Sequence, residues 1–137
     1  MKKFLKTSLG FFLSVVILSF FVNRFIVEYI GFPATVKGAS MEPGYHNEDR
    51  IFVNRVELIF RKPVKGDVVI VKNLKLGGYD IKRISAIPGD EISDITSGKH
   101  YKLSKDQYFI LGDNSKISLD SRNYGPINLN QIIGIVK

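Results

Sequence analysis

Cysteine is absent from the 137-residue chain, and histidine occurs only twice, at His46 and His100. The first absence excludes a disulfide framework, a thiolate metal site and a cysteine nucleophile. Both histidines stand in polar surroundings without a neighbouring ligand pattern, so neither a metal site nor a bound cofactor is expected. An internal repeat, a low-complexity tract, a helix-turn-helix pattern and a long basic run are missing too, which argues against a nucleic-acid partner. The net charge is nonetheless +7, of which +3 falls within residues 1–30, from Lys2, Lys3, Lys6 and Arg24 against Glu28. A membrane surface, where lysines meet anionic head groups, accounts for that bias.

What the N-terminus does have is a long apolar run. "LGFFLSVVILSFFV", from Leu9 to Val22, holds nothing more polar than serine. It is short for a span, which needs ~20 residues. Phe4 and Leu5 before it and Phe25 to Val27 after it extend it, with Lys6 and Arg24 snorkelling to opposite interfaces. A cleavable signal peptide shares this layout but ends in a small-x-small site, whereas here Phe20, Phe21, Val22, Asn23 and Arg24 follow. The expectation is an uncleaved anchor in residues 1–30. The positive-inside rule places its N-terminus in the cytoplasm and residues 31–137 outside.

Beyond Gly31 the pattern is short β-branched runs between turns. "RIFVNRV" (50–56), "DVVIVK" (67–72), "YDIKRISAI" (79–87), "YFILG" (108–112) and "IIGIVK" (132–137) read as strands. Lys65-Gly66-Asp67, Pro88-Gly89-Asp90 and Leu111-Gly112-Asp113 read as turns of one chemistry, glycine supplying positive φ and aspartate accepting freed backbone donors. The fold class expected is mostly β, a small antiparallel sheet or barrel on one N-terminal transmembrane helix. "VELIF" (56–60) breaks the alternation, and reads either as a core strand end or as an apolar tip reaching the outer leaflet beside Arg61 and Lys62.

With no cysteine, metal cluster or plausible Ser-His-Asp set, a serine nucleophile needs another base. Lysine can serve when burial pulls its pKa down from ~10.4. "VKGASMEPGY" (36–45) presents Ser40 in a Pro-Gly turn, and "DIKRISAIPGD" presents Lys82 in an apolar strand. On that strand Lys82 shares a face with Ile84, and Arg83 takes the other. Taken singly, Ser40 reads equally as a turn residue and Lys82 as a surface lysine. "LGDNSKISLDSRNYG" (111–125) adds small hydroxyls and an Asp-x-Arg pair suited to bracing a site.

These stretches, with the anchor and "KGDVVIV", resemble the type I signal peptidases, membrane-bound serine proteases with a Ser/Lys dyad, over most of the chain and in the family's order. The resemblance implies Ser40 as nucleophile and Lys82 as general base. It implies that Ser118 hydrogen-bonds the lysine amine, that Asp120 and Arg122 form a structural ion pair, and that Asp113 supports the site. The oxyanion hole would use the Ser40 N–H and a donor at Gly38, where this chain has no side-chain hydroxyl. Met41 is the candidate to line a shallow pocket. The implied substrates are preprotein signal peptides with small residues at −3 and −1, cut at the outer membrane face. Two features depart from the family pattern: Gly44-Tyr45 after "SMEP", and the short "EISDITSGKHYKLSKD" (91–106), which makes this a minimal core.

Two other readings stand beside it. A non-processing assembly factor, such as a helper in pilus biogenesis, would not need both Ser40 and Lys82. A self-cleaving Ser/Lys repressor-type protease would be cytoplasmic and carry a DNA-binding segment or a cleavable arm.

Overall fold

A computed structural model describes residues 2–73, 77–94 and 98–137, without the side chains of residues 2–9, 94 and 99. The snorkelling expected of Lys6 therefore lies outside the described residues. Helix α1 spans Lys2–Phe25 and runs on as a π turn, Ile26–Ile30. Gly10–Ile30 is 21 residues with mean hydropathy 2.1 and no burial against the rest of the chain. At 1.5 Å per residue that is ~31 Å, long and apolar enough to cross a bilayer core. Arg24 pairs with Glu28 one turn on, 3.4 Å away, which tempers both charges at the end of this segment. The change from helix to strand falls between Ile30 and Gly31.

Strands β1 (Gly31–Thr35), β2 (Arg50–Asn54), β3 (Val68–Lys72), β4 (Tyr79–Ala86), β7 (Gln107–Leu111), β8 (Ile127–Asn128) and β9 (Ile132–Val136) form one antiparallel sheet. Its order is β1-β2-β9-β3-β4-β7-β8. Strands β5 (Glu91–Asp94) and β6 (Lys99–Lys102) make a separate hairpin. Strand β3, "VVIVK", is buried on both faces through Val71, so it reads as a continuous apolar run rather than an alternating one. Val68 and Ile70 join Val36, Met41, Ile51, Val53, Ile81 and Val136 in one cluster. Val69 and Val71 join Ile84, Tyr108, Ile110, Ile127, Ile132 and Ile135 in the other.

"VELIF" is neither a strand end nor part of the core sheet. It is a helical turn, α2 (Val56–Phe60), begun where Asn54 Oδ1 accepts from the Glu57 N–H at 3.2 Å. Leu58 packs on the core, while Ile59 and Phe60 are 69% and 82% exposed. The turn starts beside the end of the N-terminal helix, because the Arg55 N–H donates to Ile30 O and its guanidinium to Glu28 O, both at 2.9 Å. Arg61, paired with Glu57 and 2.6 Å from Asp67, ties α2 to the start of β3.

The three Gly-Asp turns do not share one chemistry. Gly66 and Gly89 have φ near +92°, and Asp67 and Asp90 accept from Val64 and Ile87 N–H groups at 2.9 Å, as expected. Gly112 has no positive φ, and Asp113 faces a guanidinium instead. The third turn belongs to the site.

Candidate active site

Ser40 lies on the loop that joins β1 to β2. The loop is closed at its base by Val36 N–H to Asp49 O and Glu48 N–H to Val36 O, both 2.9 Å. Gly38 turns the chain with φ +84°, a conformation glycine alone adopts at low cost. Its N–H donates to Asn47 Oδ1 at 2.8 Å. The donor expected at Gly38 is therefore engaged within the loop. Among the described residues the Ser40 N–H has no acceptor, and the Ser40 carbonyl accepts from the Asn114 N–H at 3.0 Å. Met41 points away from this surface: it is 0% exposed and packs with Val36, Ile51 and Ile81, so it supports the loop from below rather than lining a pocket.

Strand β4 brings up the lysine. Its register with β3 sets Lys82 opposite Val69, Ile81 opposite Ile70 and Asp80 opposite Val71. Lys82 thus emerges on the Val69 face with its stem in apolar surroundings and is 4% exposed. Its Nζ donates to Ser40 Oγ at 3.1 Å, across 42 residues of sequence. Burial holds the amine below the ordinary lysine range, opposed in part by the Asp80 and Asp120 carboxylates. Arg83 takes the opposite face and pairs with Asp113 through two bonds, 2.8 and 2.6 Å, while also donating to Gly66 O at 2.9 Å. Gly44 is what leaves this pair room: a Cβ there would come 2.5 Å from Asp113 Oδ2.

Behind the lysine, Asp120 is fully buried and accepts from Arg122 Nε and Nη2 at 2.9 and 2.7 Å and from the Gly112 N–H at 3.0 Å. Asp120 also caps the short helix α3 (Ser121–Tyr124). Burial pushes its carboxyl up, but the Arg122 guanidinium, the Gly112 N–H and nearby Ser118 outweigh that and leave it below the usual range. The Ser118 hydroxyl is buried without a hydrogen bond of good geometry, so the bond expected from it to Lys82 is not formed here. It lies beside Gly112. A Cβ on Gly112 would come 2.5 Å from both the Ser118 Cβ and the Ser40 O. Gly112→Ala is expected to cost about 1–3 kcal/mol in stability and, by displacing Ser40, about 10²-fold in kcat/KM, as read by thermal melting and peptide cleavage.

Sequence reasoning did not single out Arg83, Asn114 or Ser121 as site residues. Ser121 Oγ accepts from the Ile110 N–H at 3.0 Å and locks α3 to β7. The signal for Arg83 was available, since a cation facing away from Lys82 needs a partner on its own side.

A cleft of about 230 Å³ opens beside Ser40 and Lys82. Its aliphatic lining comes from Ala34, Val36, Ile51, Ile70 and Ile81. Among the described residues strand β1 pairs with β2 alone, and nothing pairs with the outer edge of β4 before Arg83. Both free edges border this cleft, so an extended chain can lie between them.

The comparisons with known proteins agree on one assignment. A family model, "Signal peptidase, peptidase S26", matches residues 5–96 and 93–137. The chain belongs to this family. Signal peptidase I P of Bacillus subtilis subsp. natto is 30% identical over 155 residues, covering 90% of this chain and 82% of that protein. Signal peptidase IB of Staphylococcus aureus strain COL is 29% identical over 159 residues, covering 88% and 81%. A signal peptidase I structure from Enterococcus faecalis V583 aligns with TM-score 0.47 and 19% identity, over 56% of this chain and 98% of that one. As a signal peptidase, the protein is a hydrolase of peptide bonds whose activity is signal-peptide removal.

Proposed function

We propose that the chain is a membrane-anchored serine endopeptidase that removes signal peptides with Ser40 as nucleophile and Lys82 as general base. The observation that carries this reading is the 3.1 Å contact between Ser40 Oγ and a lysine amine buried to 4% exposure. Burial favours the neutral amine, and in that form the contact reverses, with the hydroxyl donating to Nζ. As Lys82 takes the proton, Ser40 Oγ attacks the scissile carbonyl and the oxyanion develops towards the Ser40 N–H. One such donor is worth about 3 kcal/mol of transition-state stabilisation. Lys82 then passes its proton to the leaving amine. It accepts another from the water that attacks the acyl-enzyme, and Ser40 is regenerated.

Substrate side chains that enter the aliphatic cleft must be small, which favours small residues at −3 and −1. The apolar segment Gly10–Ile30 is the anchor, residues 31–137 form the extracytoplasmic catalytic domain, and the basic N-terminus stays in the cytoplasm. Exposed Ile59 and Phe60, next to Arg61 and Lys62 at the end of the anchor, suit the interface with the outer leaflet. The assembly-factor reading leaves the buried lysine beside Ser40 without a purpose.

The test is a preprotein incubated with the full chain in detergent, with products read by mass. Wild type should release the mature protein, and Ser40→Ala none. Release by the variant at the wild-type rate would overturn the assignment of the nucleophile.

A further inference from the structure

We propose that Asp80 selects substrates carrying a cationic side chain at the position between the two residues whose side chains enter the aliphatic cleft. The proposal rests on the peptidase reading and deepens it. An extended peptide lying along the free edge of Tyr79–Lys82 alternates its side chains between the two faces of β4. One face carries Ile81 and its partner Ile70, both of which line the cleft. The other carries Asp80 and Lys82, partnered with Val71 and Val69. Residues that point into the aliphatic pocket are therefore separated by one that points to the Asp80 side.

Asp80 is suited to meet that residue. Among the described residues lining the cleft it is the one carboxylate. It is half-buried, and Asn73 Nδ2 donates to its Oδ2 at 2.7 Å, which fixes the group in place. Among the described residues Lys82 lies close enough to feel its charge, and a lysine acting as a base is neutral at the moment of attack. In that state Asp80 lacks the positive charge that Lys82 otherwise supplies, and a substrate cation restores it. Lys37 also lines the cleft, but it is exposed, so solvent screens its repulsion of such a group.

The test uses three peptides with alanine on both sides of a central Lys, Gln or Glu, followed by the scissile bond. They are cleaved by the full chain in detergent at one pH. Wild type is expected to prefer Lys over Glu by about tenfold in kcat/KM, with Gln between. Asp80→Asn should bring the three within about twofold, and Asp80→Lys should reverse the order. Each ratio is taken within one variant, so any effect of the substitution on Lys82 or on folding cancels. Equal cleavage of the three peptides by wild type, or a preference that survives Asp80→Asn, overturns the proposal. If no peptide is cut in a Ser40-dependent way, the peptidase reading falls first and takes this one with it.

Discussion

Lys82→Met is expected to lower kcat by about 10²–10⁴-fold, the range over which a positioned general base contributes, while leaving the chain at least as stable as wild type. The two halves of this result have one cause. Methionine keeps the apolar stem among Val69 and Ile84 but removes an amine that is 4% exposed. The pKa of that amine is held down by burial in the folded chain and is ordinary, ~10.4, in the unfolded one. Between the two values the unfolded chain binds more protons, so the Lys82 contribution to stability rises with pH. It is present above ~10.4 and is lost as pH falls through the lower folded value. Methionine abolishes that slope, and the melting temperature of the variant should equal or exceed that of wild type at neutral pH. Activity of wild type should rise with pH as the amine loses its proton, with a midpoint below the ordinary lysine value. A flat wild-type profile, or a variant that loses activity only because it unfolds, would leave Lys82 as a structural residue.

Much of this arrangement is legible in sequence, and the misses have physical reasons. Five strands follow from β-branched runs in the sequence, and each appears within two residues of its expected ends. Strand β1, "GFPAT", carries weak intrinsic signal, with glycine and proline among its five residues. It exists because β2 offers it a full register from Gly31↔Asn54 to Thr35↔Arg50, and proline is tolerated on such an edge. The β5–β6 hairpin is too polar to announce itself, and α2 is apolar enough to mimic a strand. At the site, ordered motifs pointed to Ser40 and Lys82, but nothing local says that residues 42 apart meet. Met41 illustrates the opposite error. Adjacency to Ser40 suggested a pocket wall, yet the turn sends successive side chains in opposite directions and Met41 ends in the core. Gly38 fails as a donor for a similar reason, since Asn47 folds back nine residues later to take its N–H.

The largest stability loss is expected from Arg122→Met, about 3–5 kcal/mol at neutral pH, because it leaves a fully buried carboxylate without its counter-charge. Asp120→Asn should cost less. Asparagine keeps one acceptor for the Gly112 N–H and for its role as helix cap, and the Arg122 side chain, 21% exposed, can reach water. The ordering is diagnostic, since a pair serving only as packing would lose similar amounts from either side. The pH dependence sharpens it. In wild type the Asp120 carboxyl sits below its usual range, so its contribution is present above the unfolded value, ~3.9, and is lost as pH falls through the lower folded value. Without Arg122, burial becomes the larger influence and raises the carboxyl above ~3.9, so acidification protonates it in the folded chain and relieves the penalty. The gap in unfolding free energy between Arg122→Met and wild type, measured by denaturant titration, should therefore narrow as pH is lowered from 7 towards 4. Because Gly112 and Ser118 lie between this pair and Ser40, the variant should also lose cleavage activity at temperatures where it remains folded. A gap that stays constant with pH would show that Asp120 is not the charged group Arg122 holds.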